Sequence, residues 1–154
     1  MYHNDQQSCP CSSGKTFTEC CDKYINHTEL PATPEQLMRS RYTAYAIKNE
    51  DYLLKSWHLS TRPGLLNLTT ETTQWKKLKI ISSKDNTVHF VAFFRDVING
   101  KECDFYLSEN SEFIQDDKWY YLKGNELKTS ELTKNMSCPC QSGKKFKRCC
   151  TSAF

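Results

Sequence analysis

Two short cysteine clusters, one near each end of the chain, contain the residues best suited to chemistry. The first reads CPCSSGKTFTECC over residues 9–21 and the second CPCQSGKKFKRCC over residues 138–150, and nine of their thirteen positions agree. In both, the cysteines follow the spacing C-x-C-x8-C-C. Four thiolates in so short a segment suit a closed tetrahedral zinc site, with Zn–S bonds near ~2.3 Å and no position open to a substrate. The repeat therefore favours two structural metal sites.

Other uses of these thiols remain as alternatives to zinc. Two disulfides in each cluster would either strain the adjacent pairs Cys20–Cys21 and Cys149–Cys150 or require other pairings in an oxidising compartment. A redox pair is disfavoured because the motif is not C-x-x-C. An iron–sulfur cluster is disfavoured because its usual spacings are absent.

The residues between the cysteines predict how each cluster folds. Ser-Gly after the C-x-C pair is a turn signal, in which Gly14 and Gly143 can adopt a positive φ. Residues 15–19 and 144–148 are expected to form about one helical turn each, returning the last two cysteines to the first two. Phe17 and Phe146 would then supply the apolar plug under each site. Because a thirteen-residue unit buries little surface, metal binding would have to supply its folding energy.

The pattern C-P-C-x-S-G-K-x-F-x-x-C-C resembles the SEC-C zinc motif, which is named for the C-terminus of the SecA translocation ATPase. The resemblance implies two structural zinc ions, and it implies contact with partner proteins or the ribosome rather than catalysis. The implied ligands of the first ion are Cys9, Cys11, Cys20 and Cys21, and those of the second are Cys138, Cys140, Cys149 and Cys150.

Length and composition predict one modest domain with small appendages. The chain has 154 residues, of which 38% are hydrophobic and 12% aromatic. Its longest apolar run, residues 90–94, is far shorter than the roughly 20 residues of a membrane-spanning helix. The first eight residues contain neither a basic nor an apolar leader segment. We therefore expect a reducing cytoplasm, in which clustered cysteines bind metal and the isolated Cys103 packs as a small apolar side chain.

Net charge argues against a general nucleic-acid-binding surface. The formal charge is +3, but eight zinc-bound thiolates and two divalent ions would change it to about −1. The four basic residues within 144–148 would leave about +2 on the C-terminal cluster, whereas the first cluster has only Lys15 against Glu19. We therefore expect an acidic partner at the C-terminal cluster, either a protein surface or a nucleic acid such as that of the ribosome.

The segment between the clusters begins with helix signals. The run Thr33-Pro34-Glu35-Gln36 predicts a capping box at the start of a helix that extends to about Lys48. Asn49 predicts a second N-cap, opening a short helix through Trp57. Residues 22–32 are polar and are interpreted as the connector from the first cluster.

Beyond Thr61 the pattern changes to β-strands. Alternating apolar positions and β-forming residues predict four strands joined by short turns in an antiparallel meander. The predicted strands cover residues 75–81, 87–97, 103–114 and 118–122, and the turns are Lys84-Asp85-Asn86, Asn99-Gly100-Lys101 and Asp116-Asp117. Helices followed by a meander predict an α+β fold in which the sheet curls over the helices.

The middle segment is similar to the YchJ family of bacterial proteins. The similarity is carried by LMRSRYTAY (37–45), YLLKSWHLSTR (52–62), Trp75-x-x-Leu78-x-Ile80, LSENSEF (107–113) and Trp119-Tyr120. It implies a cone-shaped fold of the nuclear transport factor 2-like class, an α+β arrangement of helices packed on a curved antiparallel sheet. The cone domain would cover residues 25–132, between SEC-C motifs at 1–24 and 133–154.

Folds of this class hold a pocket between the helices and the sheet, which serves acid/base catalysis in some proteins and only binding in others. Catalysis would need a shielded carboxylate or histidine beside a hydrogen-bond donor, such as His58 with Tyr42 or Arg41. We favour the alternative, in which His58 caps a helix and the aromatic residues form core. The residues that could face the pocket are Arg39, Arg41, Tyr42, Tyr45, Trp57, His58, Arg62, Arg95 and Glu109. Arg39 and Arg41 lie about 200° apart on a helix, so at most one of them points inward.

Together these features predict a cytoplasmic two-zinc protein whose terminal motifs dock partner proteins, ribosomal or related to secretion, rather than an enzyme. The alternative is a small-molecule binder or acid/base enzyme that uses the pocket. Dimerisation through the open face of the sheet is a further expectation for folds of this class.

Overall fold

A computed structural model describes residues 6–154 of the chain. Residues 1–5 lie outside the described residues. They include part of the first eight residues, which were predicted to contain no leader segment, and the start of the motif predicted for residues 1–24. Helices come first and a four-stranded sheet follows, so the predicted α+β fold is confirmed. No helix within residues 6–154 is long and apolar enough to span a membrane.

The helices are short and precede the sheet. Helices α1, α2 and α3 cover Lys23–Ile25, Pro34–Ala46 and Glu50–Lys55. A π-helix over Thr18–Asp22 leads directly into α1, and 3-10 helices cover Leu68–Thr70, Phe146–Arg148 and Cys150–Ala153. The predicted connector over residues 22–32 is therefore wrong for its first four residues. Helical hydrogen bonds continue there, including one from Asn26 N to Asp22 O at 2.8 Å.

The predicted caps of the two longer helices are confirmed. Thr33 Oγ1 accepts a hydrogen bond from Gln36 N at 3.2 Å, while Gln36 Oε1 accepts from Ala32 N at 2.7 Å, one residue earlier than a regular capping box requires. Helix α2 ends at Ala46 instead of Lys48, because Lys48 adopts φ 59°, which is incompatible with a right-handed helix. Asn49 Oδ1 then accepts from Tyr52 N at 3.0 Å.

The strands form the predicted antiparallel meander. Strands β1, β2, β3 and β4 cover Gln74–Lys84, Thr87–Ile98, Lys101–Gln115 and Trp119–Glu131, and they pair in the order β1-β2-β3-β4. The β2–β3 turn has positive φ at both Asn99 and Gly100, 52° and 77°, as the tightest hairpins require. Strand β4 continues nine residues past its predicted end at Leu122. Its extension is polar except for Leu127 and exposed except for Ser130, so it lacks apolar alternation, and its pairing with β3 defines it.

Both faces of β2 are buried, which explains the apolar run over residues 90–94. Phe90 and Ala92 belong to the main core between the sheet and the helices, whereas Val91 and Phe93 pack on the opposite face. A strand buried on both faces is apolar at consecutive positions. Register irregularities such as the one between Ile80 and Ser82 in β1 bend the sheet over the helices.

Candidate metal centres and central cavity

The four cysteines of the N-terminal cluster converge on one point. Their Sγ atoms all lie within 4.8 Å of one another. Cys11 Sγ is 3.6 Å from Cys20 Sγ, and Cys20 Sγ is 3.8 Å from Cys21 Sγ. Cys9, Cys11 and Cys21 are buried, and Cys20 is half-buried. The pKa of Cys11 lies well below the usual range for a thiol, because the thiols of Cys21 and Cys9 donate hydrogen bonds to its sulfur.

The four cysteines of the C-terminal cluster make a second centre of the same kind. All Sγ atoms again lie within 4.8 Å of one another. Cys140 Sγ is 3.4 Å from Cys149 Sγ, which is 3.9 Å from Cys150 Sγ. In both clusters the cysteine that follows the repeated Phe by three residues, Cys20 or Cys149, is the half-buried member.

These spacings fit a single tetrahedral metal ion at each centre. Sulfur atoms bound to zinc at ~2.3 Å and arranged tetrahedrally lie about 3.8 Å apart. Four of the Sγ–Sγ distances, from 3.4 to 3.9 Å, bracket that value, no separation exceeds 4.8 Å, and all nine cysteines are free thiols. The donor set of four sulfurs would fill the tetrahedral shell of zinc and leave no position for a substrate.

The same hydrogen bonds build both centres. Cys9 N donates to Lys15 O at 2.9 Å, and Cys138 N donates to Lys144 O at 2.8 Å. The prediction of positive φ at the glycines is confirmed, with 83° at Gly14 and 78° at Gly143. The hydroxyl groups of the neighbouring serines, Ser13 and Ser142, each lie 3.2 Å from the half-buried sulfur of their cluster. Each serine therefore orients one sulfur ligand from outside the centre.

The helical turn of each cluster begins later than predicted. It starts at Thr18 in the first cluster and at Phe146 in the second, rather than at Lys15 and Lys144. Shortly before these turns, Thr16 forms a β-bridge with Ser8 in the first cluster and Lys145 forms one with Ser137 in the second, so these positions are paired rather than helical. Phe17 and Phe146 are buried under the two centres, as predicted.

The N-terminal centre is built into the main core. Arg39 Nη1 donates to Cys11 O at 3.0 Å, and Leu78 N on β1 donates to Ser12 Oγ at 3.2 Å. Thr43 Oγ1 on α2 lies 3.7 Å from Cys9 Sγ. Side chains of α2 on one side and the backbone of β1 on the other therefore hold this centre. Arg39, one of the pocket candidates, contacts the N-terminal cluster instead of the cavity.

The C-terminal centre packs on the opposite face of the sheet. Phe146 stacks on Phe93 of β2 with ring centroids 6.2 Å apart, and Phe154 packs edge-on against both rings at 6.1 and 6.5 Å. Arg95 lies over the Phe154 ring and bonds Asp104 Oδ1 at 2.6 Å. Three aromatic rings thus attach this centre to a face that the helices do not cover.

A cavity of about 220 Å³ lies between α2 and the concave face of the sheet. Four of the predicted pocket residues line it: Arg41, Tyr42, Tyr45 and Glu109. The remaining lining residues are Met38, Trp75, Phe90, Ala92, Leu107, Ser111 and Tyr121. The cavity is therefore mostly apolar, with a few polar groups on its walls.

The polar groups of the cavity centre on Arg41, whose side chain is only 2% exposed. Its Nη1 donates to Leu53 O at 2.8 Å and to Ser56 Oγ at 2.7 Å. The guanidinium carbon lies 4.3 Å from the ring centroid of Tyr121 and 5.0 Å from that of Trp57. Burial lowers the pKa of Arg41 because it disfavours the charged form.

Glu109 is the acidic group of the cavity. Burial raises its pKa, while a hydrogen bond from Ser111 Oγ at 2.8 Å acts in the opposite direction. The neighbouring carboxylate of Glu126 on β4 also raises the pKa, and Arg41 on α2 lowers it. Tyr45 on α2 and Tyr121 on β4 also interact electrostatically with this carboxyl group. The carboxyl group is thus held partly desolvated among a cation, an anion and two phenols.

The other predicted pocket residues lie outside the cavity. The ring nitrogens of His58 bond Ser60 Oγ at 2.6 Å and Asp116 Oδ2 at 3.1 Å, since α3 ends at Lys55 and the following turn places His58 at the outer end of the sheet. Trp57 packs behind Arg41, Arg62 is exposed, and Arg95 is on the opposite face of the sheet. The structure therefore does not bring His58 together with Tyr42 or Arg41 in the cavity.

Sequence reasoning missed four polar or aromatic lining residues, Trp75, Phe90, Ser111 and Tyr121. The two-residue period of a strand places Ser111 on the same face as Glu109, so the sequence pattern could have predicted Ser111 as a pocket residue. It also missed Gly124, where a Cβ atom would overlap Glu109 Oε1 and Cδ. Gly124 lies past the predicted end of β4, so no pattern in the sequence pointed to it.

Comparison with known families agrees with this architecture. A model described as the YchJ middle NTF2-like domain matches residues 33–124, and a model of the SEC-C motif matches residues 135–151. The chain belongs to the YchJ family. The resemblance to YchJ proteins and to the SEC-C motif is thereby confirmed, and the first cluster repeats the hydrogen bonds of the matched one.

Relatives within the YchJ family align with nearly the whole chain. A UPF0225 protein of Serratia proteamaculans is 38% identical and covers 92% of this chain and 96% of its own length. A UPF0225 protein of Haemophilus influenzae is 37% identical and covers 94% of this chain and 92% of its own length.

Two solved structures have a similar fold. The solution structure of a SEC-C motif containing protein from Rhodopseudomonas palustris has a TM-score of 0.63 and 31% identity, and covers 79% of this chain and 100% of its own. The crystal structure of a SEC-C motif containing protein from Psychrobacter arcticus has a TM-score of 0.59 and 24% identity, over 97% of this chain and 98% of its own. The YchJ fold thus occurs in proteins with SEC-C motifs.

Proposed function

We propose that this YchJ-family protein is a cytoplasmic two-zinc protein in which each SEC-C motif holds one structural zinc ion. The observation that carries the proposal is the pair of four-sulfur centres, in each of which all Sγ atoms lie within 4.8 Å of one another and several separations are close to the ~3.8 Å edge of a zinc tetrahedron. A reducing compartment would keep these cysteines available as thiolates. Because four protein sulfurs complete the shell, the role of the metal is folding rather than catalysis.

The two centres serve different purposes in this proposal. The N-terminal centre is embedded in the main core through Cys9, Cys11 and Cys21, so its zinc stabilises the fold. The C-terminal centre projects from the far face of the sheet and presents the exposed side chains of Lys144, Lys145, Lys147 and Arg148. We assign docking of an acidic protein surface to this C-terminal motif.

Charge supports the docking role of the C-terminal motif. A zinc tetrathiolate carries about −2, so four exposed cations leave a local surplus of about +2. Burial raises the pKa of the Cys150 thiol, and the ammonium group of Lys77 on β1 is near enough to act in the opposite direction, so a further cation lies close to this motif. The N-terminal motif offers only Lys15, which lies near Glu19.

Metal content is the first test of this function. Elemental analysis of protein purified under reducing conditions is expected to give two zinc ions per chain. The double variant Cys138→Ser and Cys140→Ser is expected to retain one. Protein that contains no tightly bound metal, or whose cluster cysteines are disulfide-bonded in cells, contradicts the proposal.

The docking role is tested with defined polyanions. Zinc-loaded protein is expected to bind poly-L-glutamate, and replacing the four basic residues of 144–148 by Gln should abolish binding, while Lys15→Gln should not. Binding that strongly prefers a single-stranded RNA such as poly(U), with a steep salt dependence, would instead support a nucleic-acid or ribosomal partner. Equal binding by the wild type and the four-residue variant contradicts the proposed surface.

A further inference from the structure

The cavity between α2 and the sheet has none of the cluster cysteines in its lining, and it is small. Its volume of about 220 Å³ lies below the roughly 300 to 1,000 Å³ of pockets that take drug-sized ligands. Trp75 and Leu107 line both this cavity and an open depression beside it, so they stand between the cavity and solvent. A ligand of this site is therefore a compact molecule that enters past these two side chains.

The cavity wall contains a buried cation with no carboxylate partner. Among residues 6–154 the hydrogen-bond partners of Arg41 are a backbone carbonyl and the hydroxyl groups of Ser56 and Tyr45. The aromatic rings of Trp57 and Tyr121 pack against its guanidinium group. No carboxylate oxygen in residues 6–154 lies within ion-pair distance of it. Glu109 also lines the cavity and interacts electrostatically with Arg41, but it makes no direct ion pair with it. A buried charge without a close counter-ion is costly, so an anion placed directly against Arg41 would be stabilised there.

Two further polar groups face the same space. Tyr42 lines the cavity and is 3% exposed, and its hydroxyl group is a buried polar atom with no hydrogen-bond partner among residues 6–154. Buried polar groups are normally paired, so an unpaired hydroxyl beside a cavity is available to hydrogen-bond an occupant of that cavity. On the sheet side, the pair of Glu109 and Ser111 offers a second hydrogen-bonding position.

The rest of the lining selects the body of the ligand. Met38, Trp75, Phe90, Ala92 and Leu107 present apolar surface, together with the rings of three tyrosines. Flat aromatic and compact aliphatic groups pack best against such walls. We propose that the cavity binds a small monocarboxylate with an aromatic or branched aliphatic body, its carboxylate directed to Arg41 and Tyr42.

A small ammonium ligand is the competing occupant. The open depression outside the cavity contains Glu71 and Glu126, which would attract a cation, and aromatic rings can hold one. Both side chains are exposed, and salt screens exposed charges over about 8 Å. Arg41, by contrast, lies in the wall of the cavity, where water does not screen it. Glu109 lines the cavity too, but burial disfavours its charged form, whereas a guanidinium group stays protonated. The charge of Arg41 therefore favours an anionic ligand over a cationic one.

The test uses three probes of one shape: benzoate, neutral benzamide and the benzylammonium ion. In ¹⁵N-labelled protein the indole N–H of Trp75, which lines the cavity, is expected to shift saturably with benzoate. The indole of Trp119, which donates to Ala32 O at 3.2 Å, is the internal control and should not shift. Benzoate is expected to bind at least about tenfold more tightly than benzamide, because its hydrogen bonds are charge-assisted.

Variants distinguish binding inside the cavity from nonspecific binding elsewhere on the protein. Ala92→Leu fills the cavity and is expected to abolish the Trp75 shift, whereas Arg95→Gln, on the opposite face, should change nothing. Tyr42→Phe removes only the unpaired hydroxyl, so the protein should fold and bind benzoate about three- to tenfold more weakly. Tighter binding of benzylammonium, no saturable shift of Trp75, or a shift that persists in Ala92→Leu each overturns the proposal.

Discussion

Gly124 on β4 is the residue that makes room for the carboxyl group of Glu109 on β3. A Cβ atom at Gly124 would overlap Glu109 Oε1 and Cδ and would lie 2.8 Å from the hydroxyl oxygen of Tyr121. The glycine therefore allows a buried acid, its Ser111 partner and a tyrosine to share one end of the cavity. Gly64, in a loop, offers a comparison because nothing lies within 4 Å of a Cβ atom placed there.

Gly124→Ala is expected to displace the Glu109 side chain and break its hydrogen bond with Ser111. We expect the free energy of unfolding to fall by about 1 to 2 kcal/mol, from crowding and the lost hydrogen bond. Urea unfolding of wild type and variant measures this difference. Gly64→Ala should stay within about 0.5 kcal/mol of wild type; equal effects at the two glycines would show that the position beside Glu109 is not constrained.

Phe93→Ala is expected to detach the C-terminal motif from the sheet. Phe93 is fully buried and contacts both Phe146 and Phe154, so its truncation removes the ring on which the motif stacks. We expect a loss of about 3 to 5 kcal/mol in the free energy of unfolding, measured by denaturant titration. Leu127→Ala, at a position 53% exposed on β4, is the control and should have little effect.

The sequence predicts much of this molecule because its signals are local. Caps such as Thr33 and Asn49, and turns such as Asn99-Gly100, depend on neighbouring residues and were identified correctly. The four-sulfur centres were likewise indicated by spacing within thirteen residues. His58 was misplaced as a pocket candidate because its position depends on hydrogen bonds to Tyr121 O and Asp116, which are distant in sequence.

The far end of β4 and the attachment of the two motifs to opposite faces had no local signal. Apart from Leu127, strand β4 is polar beyond Leu122 and exists because β3 offers a partner along its whole length. Phe17 and Phe146 look equivalent in sequence, yet one enters the main core and the other packs against Phe93 on the opposite face. Only the three-dimensional path of the chain distinguishes them.

Stability is expected to depend on pH through Glu109. Its folded-state pKa is raised by burial above the ordinary value of 4.5, so the folded protein holds this proton more tightly than the unfolded chain. Within the window from 4.5 up to the raised value, unfolding releases a proton, and the free energy of unfolding therefore falls as pH increases. The Glu109→Gln variant has no proton to release at this position. Its free energy of unfolding minus that of wild type should therefore increase with pH across this window and then become constant.

Urea titrations between about pH 4 and pH 8 measure this difference. Glu131→Gln, at the exposed end of β4, is the matched control. Its free energy of unfolding should differ from that of wild type by the same amount at every pH in that range. A constant difference between wild type and Glu109→Gln at every pH would mean that Glu109 titrates alike in the folded and unfolded chains.

Loss of one ligand from each metal centre is expected to have unequal effects. Cys11 is fully buried in the main core, where Arg39 on α2 bonds its carbonyl oxygen, so Cys11→Ser should lower the thermal midpoint of the whole protein and remove hydrogen-exchange protection from α2. Cys140 belongs to the motif on the far face of the sheet, so Cys140→Ser should expose residues 133–154 while α2 stays protected. Hydrogen exchange read by mass spectrometry separates the two responses, and zinc content reports one ion lost in each variant. If Cys140→Ser unprotects α2 as fully as Cys11→Ser does, the two centres form one cooperative unit and the division of roles between them is wrong.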